Sequence, residues 1–308
     1  MWKYLLRRSA YALFTVWVIS LISFAVIQLP PGDYVSDLVN DLRAQAGEVS
    51  PEWEQRMREI YGFDDPFLVQ YFKWMRNILT KGQFGYSFYY KRDAVEMITE
   101  RLPMSFALSF LSTMFVWVVA LPIGFYSAVH KYSVADYFAS FMGFFGMAIP
   151  NFLLALIVLY LTYKYMGQAV IGLFSAEYAS APWSWGKLLD LMKHVWVPMV
   201  IIGISSTAGL IRTMRANLLD ELNKPYVETA RAKGLSETRL LIKYPLRHAL
   251  NPFVSTLGWM LPSLVSGETI VSMVLNLPTS GPILYRALIQ QDQYVAAGFI
   301  LMLSALTV

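Results

Sequence analysis

The charges of this chain are confined to patches. Five stretches carry none, from Ser9 to Leu29, Met104 to Val129, Tyr137 to Tyr163, Val195 to Ile211 and Ala249 to Gly267, and a sixth begins at Tyr294. An apolar helix of roughly 20 residues spans the hydrocarbon core of a bilayer, so each stretch is a candidate span, the fourth near the short limit. Soluble folds do not store apolar residues in blocks of this length. With 56% hydrophobic and only 15% charged residues in 308, the composition excludes an ordinary soluble domain. The predicted fold is an all-α integral membrane protein with six transmembrane helices.

Orientation follows from the basic residues near span ends. Lys3, Arg7 and Arg8 precede the first stretch, His130 and Lys131 follow the second, and eight Lys or Arg lie between Arg212 and Arg247. If six spans alternate, all of these fall on one side, which places the amino terminus in the cytoplasm. The first stretch is too long for the core of a cleavable signal, and Gln28-Leu29-Pro30-Pro31 is no small-residue cleavage site. Residues 30–103 are then outside. They carry nine basic and twelve acidic residues, but a loop longer than about 60 residues is translocated largely regardless of charge.

That outer segment reads as a small helical subdomain. Ser50 caps a helix with Pro51 at its first position, running to about Tyr61 before Gly62. Asp64-Asp65-Pro66 opens a second helix with Phe67, Tyr71, Trp74 and Ile78 on one face, the expected core of the subdomain. Gly82 and Gly85, around Phe84, mark a turn before the chain re-enters the membrane near Pro103. The predicted divisions are a first transmembrane helix at 1–29, the outer subdomain at 30–103, and a five-helix core at 104–308 that contains a cytoplasmic segment at 212–248.

Within the cytoplasmic segment, Pro225 suits the first position of a helix and Gly234 a left-handed end. Glu228 lies near the positive end of that helix, and Arg231 and Lys233 near the negative end. A second helix restarts with Ser236 as cap, and Leu235 and Leu240 are spaced to staple it. Two helices meeting at a glycine form a knuckle. From the residues alone it is either a docking element for a soluble partner or an amphipathic hairpin lying on the anionic inner surface.

Glu228-Thr229-Ala230, with Gly234 four residues on, is similar to the Glu-Ala-Ala loop of bacterial ABC importer permeases. The run Thr229-Ala230-Arg231-Ala232-Lys233-Gly234-Leu235, then Arg247, Ala249 and Pro252, resembles the dipeptide, oligopeptide and nickel branch of that family. The likeness extends along the chain, through Leu6-Arg7-Arg8, Ile22-Ser23-Phe24, Pro31-Gly32-Asp33, Tyr61-Gly62-Phe63-Asp64-Asp65-Pro66, Gln70-Tyr71 and Phe84-Gly85-Tyr86-Ser87. It departs at Gln83, where the family usually has an acidic residue, at Ser105, and at Thr279-Ser280-Gly281. The family's acidic residue near the end of span five would fall at Ser272, whereas Glu268 lies one turn earlier.

The resemblance implies a permease subunit in the bacterial inner membrane. It would pair with a second, similar permease, two ATP-binding subunits and an extracytoplasmic solute-binding protein, with ATP and Mg acting in the ATPases and no cofactor in this chain. Tyr226, Glu228, Thr229, Ala230, Arg231, Lys233, Gly234 and Leu235 would then be the ATPase-coupling residues, and transport would proceed by alternating access. Pro150, Asn151 and Glu268 are the candidate pathway or gate residues, Glu268 either at the membrane interface or touching solute. Pro122, Pro150 and Pro198 interrupt apolar runs and are expected to be tolerated within membrane helices rather than to act as hinges.

The sequence holds no phosphate-binding loop and no serine-hydrolase elbow. Its three histidines, His130, His194 and His248, lie far apart with no cysteine, so no metal centre is expected, nor a nucleic-acid partner. The rival readings are an ion-coupled secondary transporter, which would need acidic residues at membrane depth where this chain offers Glu268, and a membrane scaffold or receptor subunit. A peptide, a nickel complex or an oligosaccharide are all open as solute. The sixth stretch, reaching only Val308, is short for a span, and the natural chain is expected to continue.

Overall fold

The computed structural model describes residues 1–29, 34–46, 50–62, 64–87, 89–167, 170–266 and 269–308. Its elements begin with α1 (Trp2–Gln28), α2 (Tyr34–Ala46), α3 (Pro51–Tyr61) and α4 (Phe67–Lys81), followed by the strands β1 (Tyr86–Ser87) and β2 (Arg92–Asp93). Then come α5 (Ala94–Val129), α6 (Val134–Ala148), α7 (Asn151–Met166), α8 (Ala176–Ala179) and α9 (Trp185–Leu222). The last are α10 (Pro225–Ala232), α11 (Glu237–Lys243), α12 (Pro245–Ala249), α13 (Asn251–Ser266), α14 (Thr269–Val274), α15 (Ser280–Ile289) and α16 (Gln293–Thr307). Two compact units result, residues 1–104 with 279–308, and residues 105–278.

Among the described residues, α1, α5 and α9 are long and apolar enough to cross a membrane, and α6 with α7 make a fourth span if the bent pair is one. The fourth apolar stretch, short by its charge-free length, lies inside the 38-residue helix α9. Ser184 starts that helix by accepting a hydrogen bond from the backbone N–H of Lys187 at 3.2 Å, and charged residues on both flanks continue it. At 1.5 Å per residue α9 is roughly 57 Å long, so its ends emerge from a core about 30 Å thick. Helix α5 begins ten residues before its apolar part, where Arg92 bridges Glu96 and Glu100 at 3.1 Å each.

The third stretch departs from the expected straight helix: α6 and α7 meet at 92°. Pro150 cannot donate a backbone N–H, and it pushes the residue before it out of the helical region; Ile149 sits at φ −91°, ψ 121°. The carbonyl that a continuing helix would have bonded to residue 150 is that of Gly146. Ser205 Oγ, on α9, lies 3.2 Å from it and 2.7 Å from Asn151 Oδ1. A partner from another helix thus satisfies the broken ladder, and Pro150 is a bend rather than a tolerated interruption. Pro198 lies within the continuous α9, and α5 likewise runs through Pro122.

In the first unit, α3 ends as expected at Gly62 with φ +70°. Ser50 precedes it in extended backbone without a side-chain cap bond, its hydroxyl donating instead to Glu52 at 3.0 Å. The aromatic face of α4 packs on α1: Phe24 stacks on Trp74 with centroids 5.2 Å apart and meets Tyr71 edge-on at 5.7 Å. Trp74 Nε1 donates to the carbonyl of Phe84 at 2.7 Å, and the Tyr71 and Ser20 hydroxyls pair at 2.7 Å. Because Phe24 is 1% exposed, Phe24→Ala should cost about 3–5 kcal/mol. Thermal unfolding in detergent checks this, and an unchanged melting temperature would contradict it. The antiparallel ribbon that pairs Tyr86 with Asp93 and the helix α2 were not anticipated.

Asp292, fully buried at the start of α16, accepts a hydrogen bond from the Ser87 hydroxyl of β1. Burial raises its pKa above the ordinary 3.8, against the opposing bonds from Ser87 and from the backbone of Val295 and Tyr89. The folded state therefore holds this proton more tightly than the unfolded one. Its contribution to stability is greatest below the ordinary Asp range and declines as pH rises through the raised value. Asp292→Asn keeps an acceptor for Ser87 and should flatten this part of the stability profile between acidic and neutral pH. A variant whose melting temperature fell with pH as steeply as that of the native chain would refute the assignment.

The second unit centres on α5, α9, α12 and α13, with Val116, Ala120, Met214, Leu218, Ala249 and Phe253 among its buried residues. The fifth apolar stretch lies almost wholly in α13, and Glu268 lies outside the described residues, as do Pro31, Gly32, Asp33 and Phe63.

Candidate functional site

Residues 224–247 form the knuckle that the sequence anticipated. Lys224, in extended backbone, precedes α10 with Pro225 at its first position. The helix has eight residues and terminates in two bonds of one kind of cap: Gly234 N–H to Arg231 O at 3.0 Å and Leu235 N–H to Ala230 O at 3.4 Å. This is the glycine-ended arrangement in which the residue after the glycine turns back onto the helix. Gly234 has φ +77° and, among the described residues, nothing within 4 Å of where a Cβ would stand. Backbone conformation, not space, therefore demands glycine there.

The knuckle has an inner and an outer face. Val227, Ala230 and Leu240 are buried, with Tyr226, Leu235, Leu241 and Tyr244 packed against them. Leu235 and Leu240 thus share one small core, as the staple predicted, although Ser236 makes no side-chain cap bond. Glu228, Thr229, Arg231, Lys233 and Gly234 are exposed. Of the eight candidate coupling residues, Tyr226, Ala230 and Leu235 therefore build the knuckle, and the other five form its rim.

Two polar contacts hold the shape. Arg231 grips Glu237 across the glycine turn, Nε to Oε1 at 2.6 Å and Nη2 to Oε2 at 3.2 Å, and this holds the Glu237 carboxyl below its ordinary range. Tyr226 donates its hydroxyl to the carboxylate of Glu221, near the end of α9. Burial foremost, then that bond, push its pKa up to about 12. Glu221, Val227, Glu237 and Tyr244 were missed as parts of the site. The spacing of Val227 and Ala230, and of Leu240 and Tyr244, was the available signal. Arg231, read as a charge facing a partner, already has one within the chain.

Of the pathway candidates, Pro150 and Asn151 sit together at the bend between α6 and α7, Asn151 held by Ser205. Both they and the knuckle border α9, whose end at Leu222 leads directly into Lys224.

Residues 120–308 match the family described as Binding-protein-dependent transport system inner membrane component. Residues 1–109 match the one described as Binding-prot-dependent transport system membrane comp, N-term. The chain is 33% identical to the oligopeptide transport system permease protein AppB of Bacillus subtilis, over 94% of this chain and 88% of the relative. It is 28% identical to the peptidoglycan transport system permease protein YejB of Agrobacterium fabrum, over 99% and 92%. It is 27% identical to the oligopeptide transport system permease protein OppB of Haemophilus influenzae, over 100% and 94%. Apolar helices long enough to span a bilayer, a self-capped knuckle after α9 and matches along almost the whole chain converge on one assignment. The chain belongs to the binding-protein-dependent transport system inner membrane components, as a multi-pass permease subunit of an ABC importer.

Proposed function

We propose that this permease moves a peptide-like solute inward by alternating access, together with a second, similar permease, two ATP-binding subunits that carry ATP and Mg, and an extracytoplasmic solute-binding protein. The reading has six spans, the amino terminus inside, the segment 30–103 outside and the knuckle in the cytoplasm. The exposed rim of Glu228, Thr229, Arg231 and Lys233 meets the ATPase, and Gly234 aims that rim. Closure of the ATPases displaces the knuckle, and α9 carries the movement toward the bend at Pro150 and Asn151, the candidate gate. Glu268 remains a candidate for the pathway by its place in the sequence.

The observation that carries the coupling role is the division of the knuckle into a locked interior and an exposed polar rim directly after the 38-residue α9. A rigid lever needs both. The peptide class is supported by the relatives, two of which are oligopeptide permeases. Proteoliposomes containing the four kinds of subunit test it, with labelled tri- to pentapeptides, an oligosaccharide and a nickel chelate as competing solutes. ATP-dependent accumulation of peptide is expected. Accumulation of the sugar or the chelate with no peptide uptake would overturn the solute assignment.

A further inference from the structure

Resting on the permease reading above, we propose that Asp136 and Arg215 are positioning residues of the transport cycle. They clamp α6 to α9, so that the helix bearing the knuckle and the helix leading to the Pro150 bend move as one body.

The clamp is built around one carboxylate. Asp136 Oδ1 accepts from Arg215 Nε and Oδ2 from Arg215 Nη2, each at 2.8 Å, the two-pronged geometry that fixes orientation as well as distance. The Asp136 side chain is 3% exposed and that of Arg215 27%. Oδ2 also accepts from the backbone N–H of Tyr132 at 2.9 Å, a residue held at φ +64°. Meanwhile the Asp136 N–H donates to Ser133 Oγ at 3.2 Å, capping α6. One side chain thus ties the turn after α5, the first turn of α6 and the last third of α9.

A second tie lies at the far end of α6. Ser205 of α9 reaches Gly146 O and Asn151 Oδ1, so α6 is fastened to α9 at both ends. Between the ties the helices pack through small residues. A Cβ on Gly143 would lie 3.7 Å from Ala208 Cβ, and one on Gly146 3.5 Å from Ile204 Cγ1. Arg215 stands seven residues before Leu222, the end of α9, or about 10 Å along the axis at 1.5 Å per residue. A push on the knuckle therefore arrives at Arg215 almost at once. Without the clamp, α9 slides against α6 and the displacement is spent before it reaches Pro150.

The chain has no cysteine, which allows the clamp to be replaced by a bond. The Gly143 and Ala208 positions match the Cβ separation of about 3.8 Å that a disulfide requires. In proteoliposomes of the full complex, Arg215→Lys keeps the charge and loses the fork. It should lower solute taken up per ATP hydrolysed by at least about fivefold, the lower range of coupling between sites, while the ATPase subunits still bind. Oxidation of Gly143→Cys with Ala208→Cys should restore that ratio to within about twofold in the Arg215→Lys background. In the otherwise native chain the same bridge should leave it unchanged. The proposal is overturned if Arg215→Lys couples normally, if the bridge restores nothing, or if the bridge stops transport in the otherwise native chain, since the helices would then have to slide. Absence of ATP-driven uptake by the unaltered complex would instead remove the permease reading, and the clamp with it.

Discussion

Gly234→Val leaves the permease inserted and assembled but lowers solute uptake per ATP hydrolysed by on the order of tenfold. The argument is conformational. Gly234 has φ +77°, a region that a β-branched residue enters at a cost of about 1–3 kcal/mol. Among the described residues nothing stands within 4 Å of its Cβ position, so no clash unfolds the segment. The turn relaxes instead, the cap bonds of Gly234 and Leu235 weaken, and the exposed rim of α10 is misaimed. Gly234→Asn tests the cause, because asparagine enters the left-handed region far more readily and should retain most of the coupling. Arg231→Ala, which removes an exposed pair with Glu237, should have a smaller effect, since solvent screens such pairs and they contribute little. Normal coupling in Gly234→Val, or equal losses in Gly234→Asn and Gly234→Val, would contradict this account.

Gly124→Leu prevents accumulation of folded permease, and Gly124→Ala lowers its melting temperature. Gly124 is the point where α5 lies against α9. A Cβ there would stand 2.6 Å from Met214 Cβ and 2.8 Å from the carbonyl oxygen of Ile211. The oxygen belongs to a helix backbone and cannot swing away, so the helices must separate around buried Met214, Leu218 and Ala120. Overpacking of this kind costs about 1–3 kcal/mol, which outweighs the ~1 kcal/mol that alanine gains over glycine in a helix. Gly209, in α9 with nothing within 4 Å of its Cβ position, is the control: Gly209→Ala should be neutral or slightly stabilising. Retention of the native melting temperature by Gly124→Ala would show that α5 and α9 are not packed this closely.

Local chemistry made the knuckle legible in the sequence. Pro225 opens a helix, Gly234 closes it, and Ser236 starts another, all within one charged island. The aromatic packing in the first unit was legible for a similar reason, since Tyr71 and Trp74 recur on one helical face. What sequence patterns could not show were features that depend on two distant segments. Asp136 and Arg215 are separated by 79 positions, and each alone reads as a charge at the end of an apolar run. Pro122, Pro150 and Pro198 look equivalent in the chain, yet the carbonyl freed at Pro150 is met by Ser205, and only there did the chain bend. Arg231 was named a coupling residue by resemblance, and its pairing with Glu237, six residues on across the turn, has no signal in the helical spacing.

The central claim is that the rim of α10 is where the ATPase engages this permease. A single cysteine in this cysteine-free chain measures it directly, by cross-linking to the ATPase subunit in the assembled complex. Lys233→Cys, on the exposed rim, should form a cross-linked product whose yield changes when ATP is added. Lys81→Cys, at the end of α4 in the segment assigned outside, should form none. Equal yields from the two positions, or a product from Lys81→Cys alone, would contradict both the coupling role of residues 224–247 and the orientation on which it depends.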